Sequence, residues 1–152
     1  MMQNYKADSG TFIPVWTLEI QTLAEDTDKI LDTIMEVHPL SYGRYQRTAS
    51  ISAVGMETTQ PEGGSTTTTH LDGFQAGDTR TYPMVELKIS IERDIAALEK
   101  VMDAILYAHH YEQPVVFLRE DWASRSAYNP GNDNPNRWWN NAQGLPKSIE
   151  GQ

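Results

Sequence analysis

Cysteine is missing from all 152 residues. Its absence excludes disulfide scaffolds, thiolate zinc sites, iron–sulfur clusters and cysteine nucleophiles together, and it fits a reducing compartment. Positive charge is scarce. Twelve lysines and arginines stand against 21 acidic residues, a formal charge of -9, so phosphate backbones and anionic membranes are repelled. Neither nucleic acid nor a membrane is an expected partner. No window approaches the ~20 apolar residues of a spanning helix, and the opening residues hold no apolar leader core. A cytoplasmic protein is expected. Enzyme signatures are lacking too: there is no P-loop, G-x-S-x-G, H-E-x-x-H or dinucleotide G-x-G-x-x-G. The length suits one domain with a sizeable core.

What is present is a repeated plan. Val85, Leu87, Ile89 and Ile91 alternate with Glu86, Lys88, Ser90 and Glu92, the pattern of a strand with one buried face. Asp94 is a candidate N-cap, and Ile95, Leu98, Val101, Met102, Ile105 and Leu106 then recur at spacings of three and four, one stripe of a helix ending near Ala108. Gln113 to Arg119 reads as the next strand. In the first half Trp16, Leu18 and Ile20 alternate, Glu25-Asp26-Thr27 opens a helix, and Ile30, Leu31, Ile34, Met35 and Val37 form its stripe. Tyr45 to Met56 reads as a long strand. An offset of 71 residues maps Trp16 onto Leu87, Leu18 onto Ile89, Ile30 onto Val101, Ile34 onto Ile105 and His38 onto His109 without a gap.

Two βαβ units in tandem predict an α+β, ferredoxin-like βαββαβ domain: an antiparallel four-stranded sheet with two helices on one face. Residues 1–121 are expected to form that domain. Residues 57–82, rich in threonine and glycine, read as a long, mobile central loop. Residues 122–152 read as an irregular arm rich in asparagine, whose Trp122, Tyr128, Trp138 and Trp139 dock on the domain or a neighbouring copy while its end frays. The second sheet face would carry Val15, Thr17, Val115 and Phe117 and needs a cover.

The segment Ala108-His109-His110-Tyr111-Glu112-Gln113-Pro114-Val115 resembles the AHPYEEPAY-like signature of the small inserted domain of NIF-three-like proteins, which is similar in fold to CutA and PII proteins. Gly43-Arg44-Tyr45 matches the G-x-Y that enters the family's second strand, and Gln60-Pro61-Glu62-Gly63-Gly64 its following loop. His110 stands in place of the family proline, Gln113 in place of its second glutamate, and Arg47-Thr48 in place of a common His-Cys pair. The larger, metal-holding domain of those proteins has no counterpart here. The resemblance therefore implies a fold and a homotrimer, with a dimer as the alternative, and no reaction.

On this basis a non-enzymatic, oligomeric PII/CutA-like module is expected, ligand-responsive or scaffolding. Tyr45, Arg47, His70 and Arg80 are candidate ligand-binding residues, the last two in the central loop. His109, His110 and Glu112 are candidate ligands of a divalent metal, the possible cofactor, because imidazole and carboxylate suit zinc, copper or nickel. The competing role for His109, and for His38, is to hold a helix C-terminus. Two other functions are carried: a CutA-like divalent-metal binder, and a small dimeric ferredoxin-like enzyme with an aromatic substrate in a pocket of Trp16, His38 or Tyr42. Asp28 and Asp32 are expected to be solvated.

Overall fold

The computed structural model describes residues 5–140, in two compact units. One comprises Pro14–Asp121; in the other, the residues up to Ile13 join those from Trp122 onward. The elements in chain order are β1 (Lys6–Ala7), β2 (Gly10–Thr22), a 3-10 turn (Ala24–Asp26), α1 (Thr27–Met35), β3 (Ser50–Ile51), β4 (Gly55–Thr59), α2 (Thr66–His70), β5 (Arg80–Glu92), α3 (Ile95–Ala108) and β6 (Val116–Ser126).

In the unit 14–121, β2 and β5 lie side by side, β6 pairs the far side of β2, and β3 and β4 pair the far side of β5. This is the α+β arrangement that two fused βαβ halves produce, with β2, β3, β4 and β5 joined in antiparallel pairs. The duplication is visible in the register. Leu18 faces Ile89, its own counterpart at an offset of 71, and Trp16↔Ile91 and Ile20↔Leu87 are images of one another. The local pseudo-twofold axis thus passes through the Leu18–Ile89 pair. Each half buries the same stripe: Leu18, Ile20, Leu87, Ile89 and Ile91 from the sheet meet Ile30, Leu31 and Ile34 of α1 and Val101, Ala104, Ile105 and Ala108 of α3. The Asp94 carboxylate accepts from the Ala96 and Ala97 amides at 2.9 and 3.5 Å, satisfying donors that a helix leaves unpaired at its start.

Four expectations change. Tyr45 to Met56 is no continuous strand: Tyr42 and Tyr45 close a tight turn with Gly43 at φ 60, and Arg47 takes φ 54, a left-handed conformation that interrupts extended chain. Only Ser50–Ile51 and Gly55–Thr59 pair with β5. The segment 57–82 is not all loop either. It holds the end of β4, the single-turn α2 and the start of β5. Val15 and Thr17, expected on an open face, are buried, while Phe117 is exposed. Val37 and Leu106, assigned to apolar stripes, stand in solvent: Val37 lies past the end of α1, and Leu106 lies off the side of α3 that buries Val101, Ala104, Ile105 and Ala108.

In the other unit β1 and β2 form a hairpin, Lys6↔Thr11 and Ala7↔Gly10, and Ala127 and Asn129 hydrogen-bond to the Ser9 and Asp8 carbonyls. The asparagines fold the chain locally. Asn129, Asn132 and Asn134 each accept, on the side-chain oxygen, the amide two residues on, successive Asx turns. Tyr128, Trp138 and Trp139 pack on one another, and the Trp139 indole donates to the Asn132 carbonyl at 3.1 Å. The expected fraying, with Asn141 and Pro146, falls on residues 141–152, outside the described residues.

Candidate functional site

α3 ends in a histidine that holds its own exit turn. The His109 amide donates to Ile105 at 3.0 Å, Nδ1 accepts from the Tyr111 amide at 3.1 Å, and Nε2 lies 2.7 Å from the Gln21 carbonyl oxygen. An imidazole accepting on Nδ1 and donating from Nε2–H is the neutral tautomer. The first half has the same device. The His38 amide donates to Ile34, and His38 Nδ1 accepts from Leu40 at 3.0 Å. Burial holds the His38 imidazole below its usual range, with Glu92 opposing the shift.

Beyond these matched histidines the halves diverge, and the candidate site lies in the divergence. Leu40 is core; its counterpart Tyr111 sends its hydroxyl to Glu57 Oε2 at 3.1 Å. Burial, then the Glu57 charge, pushes that phenol up to about 12. Pro39 corresponds to His110, whose Nδ1 lies 2.7 Å from Asp26 Oδ2. Asp26 stands at the N-cap of α1, yet its carboxylate makes no cap to its own helix; it is buried against His110. Ser41 corresponds to Glu112, which accepts the Thr66 amide at 2.7 Å at the start of α2. That bond holds the Glu112 carboxyl below its ordinary range, with His70 adding a smaller electrostatic contribution. Three consecutive side chains thus tie together the 3-10 turn, β4 and the central segment.

The remaining candidates separate. Arg47 binds Asp28 and Asp32, both at 2.9 Å, so those carboxylates clamp a guanidinium and are not simply solvated; they raise its pKa further. Tyr45 is exposed to solvent. Arg80 stacks on Phe74 at 4.6 Å and donates to the Gly73 carbonyl at 2.8 Å, which shapes the central segment from within. His70 Nδ1 lies 2.7 Å from the Thr69 hydroxyl. Trp16 packs on the core. His109 and His110 face different partners, and among the described residues no three acidic or histidine side chains gather as a metal site would need. Sequence reasoning missed Asp26, Glu57, Tyr111 and Thr66 as site members. Their partners are 84, 54 and 46 residues away, beyond any local pattern.

No protein-family model and no curated protein matches the chain. Solved structures do match. A Bacillus cereus protein related to NIF3 superposes with a TM-score of 0.56 at 16% identity, over 78% of this chain but only 29% of that one. The divalent ion tolerance protein CutA1 from Ehrlichia chaffeensis matches at 0.50 and 12% identity, over 70% and 80% of the two chains. GlnK from B. subtilis, as its ATP complex, follows at 0.46 and 10%, over 71% and 81%. The fold is therefore α+β and ferredoxin-like, of the kind seen in CutA1 and in part of the NIF3-related protein. The chain spans under a third of the NIF3-related protein. Among the described residues no helix is long and apolar enough to cross a membrane.

Proposed function

We propose that the protein is a non-enzymatic, self-associating module of PII/CutA-like fold whose copies join edge to edge, with the central segment 57–82 as its ligand-responsive part. One observation carries the reading: each outer edge of the sheet exposes apolar side chains beside its polar ones. Ile51, Val54 and Met56 are 50%, 62% and 63% exposed along β3 and β4, and Phe117 and Leu118 are 50% and 51% exposed on β6. Exposed apolar edge strands invite pairing with another chain. A contact between the two unlike edges is heterologous, and a heterologous contact whose rotation closes gives a ring. The ring favoured here is a homotrimer. The hub at residues 110–112 supports the second half of the proposal, since two polar links, the part-buried Tyr111 to Glu57 and the exposed Glu112 to Thr66, fasten the central segment to the domain. A chain without cysteine suits the cytoplasm as the place of action. The divalent-metal alternative draws no support from His109, whose two nitrogens are both engaged.

Met56→Glu and Phe117→Glu test the edge contact. Each variant alone is expected to sediment as a smaller species than the wild type. An equimolar mixture should recover a dimer, because each variant retains one intact edge. Variants of unchanged mass, or a mixture that stays monomeric, would refute the edge-to-edge contact.

A further inference from the structure

The unit formed by residues 5–13 and 122–140 holds a cleft of ≈ 220 Å³ between the β1–β2 hairpin and the end of β6. We propose that this cleft binds a small aromatic carboxylate. Three features of its lining point there. Tyr5 and Phe12 supply a pair of tilted rings 5.7 Å apart, against which a planar apolar body packs. Arg137 lines the same cleft beside Arg125, which already donates to the Ser124 carbonyl, and among the described residues no acidic residue lines it, although the whole chain carries a net charge of -9; a guanidinium fork matches a carboxylate in geometry and charge. The Ser126 hydroxyl provides a further donor. Size is compatible with one ring: a cavity of about 150 Å³ admits benzene, which leaves room here for a carboxylate on the ring. Walls that are mostly apolar favour a monoanion with a hydrocarbon face over inorganic phosphate. Gly10 keeps the wall close, since a Cβ there would meet the Arg125 carbonyl oxygen at 3.0 Å.

The test is titration of the full chain with benzoate, benzamide and phosphate, followed by ligand-observed NMR. Benzoate is expected to bind at least tenfold more tightly than benzamide, more weakly as salt is raised, and phosphate more weakly than benzoate. Arg137→Gln should lower benzoate affinity about tenfold, and Lys100→Gln, which removes a positive charge on the exposed side of α3, should leave it unchanged. Arg125→Gln serves as a second variant, with its fold checked by circular dichroism. Equal binding of benzoate and benzamide, equal losses in Arg137→Gln and Lys100→Gln, or no benzoate binding at millimolar concentration would overturn the proposal. Phosphate binding more tightly than benzoate would overturn the assignment of an aromatic ligand.

Discussion

His109 satisfies two backbone groups at once, the Gln21 carbonyl and the Tyr111 amide, and it is itself buried. Removing the ring leaves both without a partner, and each unmet buried group costs about 1–3 kcal/mol. His109→Ala is accordingly expected to lower unfolding free energy by about 2 kcal/mol in urea titration, and a loss under half that would show the ring to be dispensable. Tyr111 makes a second residue-level prediction. Its folded pKa is raised from 10.0 to about 12, so the folded state holds that proton more tightly than the unfolded one. The stabilisation is complete below pH 10 and is lost as pH rises through 12. Spectrophotometric titration of the folded chain should show one tyrosine ionising late, and Tyr111→Phe should abolish that late step. If the late step is unchanged in the variant, Tyr111 is not the tyrosine that ionises late.

At the scale of elements, two carboxylates cap two helices in different ways. Asp94 caps α3 from the adjoining residue, and Asp94→Ala should cost about 1 kcal/mol by denaturation midpoint. Glu112 reaches the start of α2 from 46 residues away. Glu112→Gln is expected to speed amide exchange at Thr68 and Thr69, whose amides bond within the α2 turn, without changing exchange in α3; equal rates in both proteins would remove the proposed link between hub and central segment. α3 and its cap were legible because alternation, stripe and Asp94 all sit within a few residues. β3 and β4 were not. The left-handed Arg47 is set by a clamp on α1, and a string of small residues such as Ala49-Ser50-Ile51-Ser52-Ala53 carries no mark of where pairing stops. The hub was half legible: its residues 109–112 stood out as a motif, whereas Asp26 looked like an ordinary helix-opening acid and Glu57 like part of a loop.

For the whole molecule, duplication explains both what the sequence revealed and where function is proposed to reside. A common offset of 71 residues carries the strand register, the apolar stripes and the paired histidines. The copies part company at Pro39-Leu40-Ser41 against His110-Tyr111-Glu112, where the second half exchanges a core leucine for polar contacts to three other elements. The same two-half sheet leaves β3–β4 and β6 as unlike edges, each with exposed apolar side chains, and self-association through those edges is the central claim. Multi-angle light scattering of the full chain at micromolar concentration measures it most directly. The account predicts a mass about three times 17.2 kDa, and a single species at the mass of one chain would contradict it.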